Sequence, residues 1–383
     1  MEFGESSGHP CRTRNLCLPI GSHQCGGKSR ERCRQSVGRG IVLTLRGDHD
    51  KKMKINGSPW NIIKKIAIVL LIVIAAAPGA RAISIHDGAG TAGAAFLKIE
   101  GGSRPVGMGG AFAGLANDVN TIFWNPAGLT AVHDQELTAM QHFSFADINN
   151  QTIGYAQRMD RLVWGASFLG SFTEIERRQG PTEDPDSTVT VGGFATGLSL
   201  AYPLGTAMSV GGTAKMISQQ LDIQNAYGVA ADVGVILRLL DNHLGIGVAV
   251  QNAGVLDGGE NLPMALRAGL AYRTWKQPAE TEGEEAMPPR EVWAFVADAN
   301  LPLIDANPSF HIGAERWFYE SVAARVGYRI GMNENPSDGL ALGIGVRRSG
   351  EDALANIDFQ FDYAFVPDAY VGNAHRVSFI TRF

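Results

Sequence analysis

Residues 321–366 read SVAARVGYRIGMNENPSDGLALGIGVRRSGEDALANIDFQFDYAFV. Val322, Ala324, Val326, Tyr328 and Ile330 alternate with Ala323, Arg325, Gly327, Arg329 and Gly331. Leu340, Leu342, Ile344 and Val346 alternate with small residues and Arg347, and Phe359, Phe361, Tyr363 and Phe365 with Asp358, Gln360 and Asp362. A period of two puts every apolar side chain of a strand on one face and the charged or small ones on the other. Two architectures fit. A soluble sandwich buries the apolar face between sheets. A membrane barrel turns it to lipid and keeps the polar face in the lumen. Segments of about ten residues with charges at mid-strand favour the barrel.

Outward from this stretch the pattern persists. Tyr227, Val229, Val233, Val235 and Leu237 face away from Asp232 and Arg238. Strands are expected near 136–144, 149–158, 161–177, 187–202, 206–221, 225–240, 243–254, 263–275, 291–301, 308–318, 321–332, 339–348, 354–366 and 374–383. That is an even number, as single-chain bacterial barrels have. The expected class is therefore all-β: an antiparallel up-and-down transmembrane barrel of about fourteen strands. Every second connection is tight, as at Met159-Asp160, Asp241-Asn242, Tyr319-Glu320 and Ser349-Gly350-Glu351. The acidic, Pro-rich stretch 276–290 departs from that rule and is read as a tether, with a periplasmic docking loop as the alternative. Trp275, Trp293, Trp317, Phe318 and Tyr319 fall near strand ends and suit interfacial girdles. The lumen-facing candidates are Lys215, Asp232, Arg325, Arg329, Arg347, Asp358 and Asp362.

The chain's formal charge of −5 hides an asymmetry. Residues 1–82 hold 14 Lys and Arg against 5 Asp and Glu, leaving 19 against 33 in residues 83–383. An acidic body argues against nucleic acid as a partner, because phosphates need a basic surface. Lys64 and Lys65, the apolar run Ile66 to Ala77 and the small-x-small site Ala80-Arg81-Ala82 give the order of a secretory signal peptide over 53–82. An uncleaved anchor is the alternative, though the run is short for a span of about 20 residues. Met53 stands where a signal peptide would begin, so residues 1–52 are read as a spurious extension. All four cysteines (Cys11, Cys17, Cys25, Cys33) lie in that extension, at gaps wider than structural zinc sites use. The cysteine-free body suits an oxidising compartment.

Residues 95–130, AFLKIEGGSRPVGMGGAFAGLANDVNTIFWNPAGLT, are neither strand-like nor amphipathic. Their glycines give a tightly packable backbone, Ala111 to Ala116 has the composition of a short helical turn, and Asn117-Asp118 and Asn125-Pro126 are turn signals. The pieces Phe96-Leu97-Lys98-Ile99, Gly107-Met108-Gly109-Gly110-Ala111-Phe112, Asn117-Asp118 and Trp124-Asn125-Pro126-Ala127-Gly128-Leu129 resemble the N-terminal segment of the PorV/PorQ family, within the wider FadL-like barrels. The close match covers about a tenth of the chain, and residues 1–52 depart from it. The resemblance implies a barrel blocked by a plug over 83–133, ahead of a barrel at 134–383. Gly107, Gly109, Gly110, Asn125, Pro126, Ala127 and Gly128 would form the plug motif. The terminal strand ending in Phe379 and Phe383 resembles the signal read by the barrel-assembly machinery.

No enzyme is expected. The Gly107–Phe112 run lacks the last glycine of G-x-G-x-x-G and any following βα alternation. No G-x-S-x-G or H-E-x-x-H occurs, and the histidines of the body are scattered without ligand spacing. No cofactor or metal is expected. The resemblance implies an outer-membrane protein, in contact with lipid and accessory to type IX-like protein secretion with secretion-system proteins as partners. The alternatives are a FadL-like channel for hydrophobic small molecules and a structural barrel without transport.

Overall fold

The computed structural model describes residues 92–143, 148–177, 180, 187–221, 224–276, 290–304, 308–331, 339–348, 357–367 and 372–383. The extension at 1–52, the signal peptide and the 277–289 stretch lie outside the described residues.

Fourteen strands form one closed barrel in which each strand pairs with its sequence neighbours and the last with the first. They are β1 (Gln135–Phe143), β2 (Asn149–Met159), β3 (Leu162–Arg177), β4 (Ser187–Leu204), β5 (Met208–Leu221), β6 (Gln224–Leu239) and β7 (Leu244–Leu256). Then come β8 (Ala265–Lys276), β9 (Arg290–Pro302), β10 (Ser309–Phe318), β11 (Val322–Gly331), β12 (Gly339–Arg348), β13 (Asp358–Val366) and β14 (Ala374–Arg382). All pairs are antiparallel, and β1 meets β14 from Glu136 opposite Arg382 to Phe143 opposite His375. Closure leaves no strand edge unpaired, which is what a backbone surrounded by hydrocarbon requires.

The period-two reading holds strand by strand. Val322, Val326, Tyr328, Leu342, Ile344, Phe359 and Phe361 are exposed on the outside, while Ala323, Arg325, Ala341, Gln360 and Asp362 are buried within. The tight turns sit at one end, with the start of β1 and the end of β14. The β10–β11 turn shows why two residues suffice: Tyr319 (φ 47°) and Glu320 (φ 63°) are both left-handed, and that twist matches the flanking strands. The expected start of the thirteenth strand at 354 lies outside the described residues, and the strand described opens at Asp358.

Two of the expected girdle residues turn inward. Trp317 is buried because it shares the face of Glu315, two residues before it. Trp275 faces the lumen for the same reason, two residues after Arg273, whose guanidinium lies 5.0 Å from its ring. Outside, Trp293 stacks on Phe295 at 5.4 Å, and Arg316 lies over Trp293 and Phe318. Such a girdle places a charged head at the membrane–water boundary with its stem on aromatic rings.

The core lies inside the barrel. Residues 92–133 run through the lumen as one short helix, α1 (Ser103–Gly107), and three 3-10 turns at Ala95–Lys98, Val119–Phe123 and Pro126–Ala131. The segment touches walls on opposite sides: α1 lies against β11 to β14, and Pro126–Ala131 against β3 to β6. Val106, Met108, Phe112, Leu115 and Trp124 pack on Ala271, Ala294, Val296 and Ala364 of the wall. Val119, Ile122, Leu129 and Val132 pack on Ala156, Val163, Ala201 and Ile380. The small wall residues leave room for the large inner ones.

Candidate functional site: the occupied lumen

Irregular backbone at membrane depth is tolerated only where protein satisfies its polar groups. The inward polar side chains of the wall do this for the inner segment. Asp298 accepts from the Phe112 and Ala113 amides, both at 2.8 Å. His311 Nδ1 meets the Gly109 carbonyl at 2.6 Å, Arg267 donates to Gly110 O at 3.0 Å, and Arg238 to Ala116 O at 3.1 Å. Gln251 donates to the carbonyls of Phe123 and Trp124. Within this web Ala111 to Ala116 makes a single hydrogen-bonded turn, Ala116 N donating to Phe112 O at 2.9 Å, and goes no further as a helix. Gly109 (φ +71°) and Gly110 (φ +81°) are left-handed, and Asp298 takes two amides that a helix would leave free only at its start. The helix falls instead at Ser103–Gly107.

The glycines and the Asn-Pro-Ala stretch act through close approach. A Cβ at Gly343 of β12 would stand 3.1 Å from the Gly107 Cα, and one at Gly109 2.8 Å from the Tyr328 amide of β11. A Cβ at Gly211 of β5 would stand 2.5 Å from the Ala127 amide. The bare wall backbone at these positions is what admits the inner chain. Asn125 fixes the following turn: its Oδ1 accepts from Ala127 N at 3.2 Å, and its Nδ2 donates to Ala113 O and to Val235 O of β6. Pro126 opens the 3-10 turn, where its missing N–H costs nothing. Gly128 is buried against Thr121 and Ala116.

The strongest anchor is ionic. Arg104 of α1 donates to Glu315 of β10 through Nε (2.8 Å) and Nη2 (2.6 Å), and to Asp118 at 2.6 Å. Glu315 also accepts from Arg325 of β11 at 2.6 Å, and Arg325 pairs with Asp362 of β13 at 2.7 Å. Glu315, Arg325 and Asp362 are fully buried. Burial opposes the charge on Arg104, but Glu315 and then Asp118 hold its pKa well above the ordinary arginine value. On the loop side of α1, Glu100 receives Arg329 of β11 at 2.6 Å and faces Arg376 of β14 at 3.6 Å. Burial alone would raise its pKa; Arg329 and Arg376 together lower it to about 2. A third tie joins Glu136 to the Val119 amide (2.9 Å) and to Arg382 (3.4 Å).

Of the seven lumen-facing candidates, Arg325 and Asp362 belong to the central ion cluster and Arg329 to the Glu100 pair. Lys215 and Asp232 pair at 2.7 Å. Arg347 lies over Trp317 at 4.3 Å and, with Asp358, lines the turn end of the lumen. Phe379 lies outside against Phe359, and the Phe383 amide donates to Gln135 O, tying the chain end to β1. Sequence reasoning missed Glu100, Arg104, Asp298 and Glu315. Glu100, Arg104 and Asp298 sit between apolar or small neighbours, which is the signal that marked them, while Glu315 stands beside Arg316.

The inner segment divides the lumen in two. A loop-side chamber of about 460 Å³ lies above Ile122, Phe123 and Trp124, and a turn-side chamber of about 920 Å³ lies below Arg104 and Glu136. No residue lines both. Among the described residues, no group of His, Cys, Asp and Glu is arranged to hold a metal ion.

The profile of an uncharacterised protein family, UPF0164, matches residues 71–255. No curated protein matches the sequence. Among solved structures, the Ralstonia pickettii toluene transporter TbuX is 14% identical with a TM-score of 0.50, covering 75% of this chain and 100% of that one. The CymD monoaromatic hydrocarbon channel is 15% identical with a TM-score of 0.49, over 74% of this chain and 97% of that one. A Pseudomonas aeruginosa FadL homologue is 12% identical with a TM-score of 0.45, over 73% and 97%. At such identities what is shared is the fold: the chain has the closed fourteen-stranded barrel that its alternating strands implied, and TbuX shares it.

Proposed function

We propose that this chain is an outer-membrane barrel of FadL-like type that passes small molecules, with residues 92–133 as the plug that gates it. The observation that carries this reading is the pair of lumen chambers separated by the inner segment. A purely structural barrel has no use for two solute-sized cavities; small-molecule sites run from about 300 to 1,000 Å³. Short turns at the end that holds the start of β1 and the end of β14 support a periplasmic position for that end and an outward loop-side chamber. Residues 53–82 serve as export signal, and Phe379 and Phe383 as the signal for barrel assembly. The apolar floor of the loop-side chamber suits the hydrophobic small molecules that the resemblance implies, and TbuX is a toluene transporter.

One observation favours the second reading, a PorV/PorQ-type accessory of type IX-like secretion that conducts nothing. The Arg104–Glu315–Arg325–Asp362 cluster is buried and holds the inner segment to three strands, as a barrel that never opens would need. Two measurements separate the readings. Proteoliposomes carrying the purified barrel should take up labelled toluene or small anions faster than empty ones, and a deletion strain should export its proteins normally. Loss of exported proteins together with uptake no faster than in empty liposomes would replace the transport reading with the secretion one.

A further inference from the structure

The loop-side chamber has a charge pattern that the transport reading does not explain. Four strands spaced three apart around the barrel each send in one cation: Lys215 from β5, Arg267 from β8, Arg329 from β11 and Arg376 from β14. Glu100 is the one carboxylate among the described residues lining the chamber. Lys215 is answered by Asp232 behind it. Arg267 spends one N–H on the Gly110 carbonyl and lies 4.5 Å from the ring of Trp124.

Arg329 and Arg376 are in a different position. Both converge on a single oxygen, Glu100 Oε2, at 2.6 and 3.6 Å. Each guanidinium carries five N–H donors in a planar fork that matches an oxyanion. Here the two share one carboxylate, and Arg329 Nε, Arg376 Nε and Arg376 Nη1 have no hydrogen-bond acceptor. Such a pair is under-filled, since buried donors are normally satisfied. Glu100 reaches it from an extended stretch between the first 3-10 turn and α1, held by no strand ladder.

We propose that the loop-side chamber binds a small hydrophilic oxyanion through Arg329 and Arg376, and that Glu100 occupies this site from within the chain as the solute's competitor. The proposal rests on reading that chamber as the compartment a solute reaches. The chamber also has apolar lining at Leu97, Ile99, Leu169 and Ala195, but the two converging guanidiniums present donors that a hydrocarbon cannot use. A carboxylate or phosphate that takes the two guanidiniums displaces Glu100 and frees residues 99–102 from the wall. The chemistry on the wall thereby couples occupancy to the loop-side end of the inner segment.

The test is equilibrium binding by titration calorimetry on the purified barrel in detergent, with inorganic phosphate, succinate, octanoate and toluene as probes. The expected result is saturable binding of phosphate or succinate to the unaltered protein. E100Q, which removes the competing charge, should bind about tenfold more tightly, and R329Q and R376Q at least about tenfold more weakly. Heat-modifiable gel mobility checks that each variant is folded. Where a glutamine variant does not fold, R329K or R376K keeps the charge but not the fork and should still weaken binding. No saturable binding of either anion to folded E100Q would overturn the proposal. So would binding untouched by the arginine variants, or binding of octanoate or toluene alone. Detergent binding needs no flux, so a barrel that binds anions in this way yet moves nothing across liposomes would refute the transport reading and leave the site standing.

Discussion

At the scale of single residues, Glu315 ties the inner segment to the wall. It satisfies Arg104 from the inner segment and Arg325 from the wall, all three buried. Removing one partner from a buried pair leaves an uncompensated charge and costs about 3–5 kcal/mol. E315A should therefore lower the temperature at which the folded gel band disappears far more than a substitution on the lipid face such as V326A. Glu100 gives a prediction in pH. Its pKa is depressed in the folded protein, from 4.5 to about 2, so it contributes stability that is fully present above pH 4.5 and lost as the pH falls toward 2. The stability difference between the unaltered protein and E100Q should be constant above pH 5 and shrink below it; a difference that grows on acidification would contradict the ion pairs. These charges were only half legible in the sequence. Arg325, Arg329 and Asp362 stand out because period two assigns them a face. Glu100 and Arg104 sit in a segment with no period, so nothing local says which way they point or which distant strand supplies the partner.

At the scale of elements, the strands were legible almost to the residue because alternation, turn chemistry and length agreed. All fourteen expected segments overlap the observed ones. The inner segment was legible as something other than strand, and as resembling a known element, but its internal structure was not. Composition favours a helical turn at Ala111–Ala116, and one such turn forms, but the partner of its free amides, Asp298, is distant in sequence. Trp275 and Trp317 were misplaced outward for a similar reason. Parity with Arg273 and with Glu315 decides their side, and closeness to a strand end does not carry it. The close approach of inner segment to wall yields a further prediction. A Cβ at Gly327 of β11 would fall on the Met108 and Gly109 backbone. G327L should leave barrel assembly intact, since the strand ladder is untouched. It should strain the seating of α1 by roughly 1–3 kcal/mol, as overpacking does. Faster protease cleavage within residues 100–112 of the folded band would report this; cleavage unchanged from the unaltered protein would count against the contact.

At the scale of the whole molecule, one arrangement explains the composition. Apolar residues on the outer face meet lipid, charges on the inner face satisfy an irregular chain, and that chain separates two chambers. The polar interior is thus the solvent of the inner segment, which could not exist at membrane depth without it. In the proposed function residues 92–133 close the lumen, tied to the wall by the Arg104–Glu315 anchor. Ion conductance across planar bilayers tests it most directly. The unaltered barrel should show no sustained open level, and E315A should show frequent openings at the same voltage and salt. A steady, porin-like conductance from the unaltered protein, no larger in E315A, would contradict it.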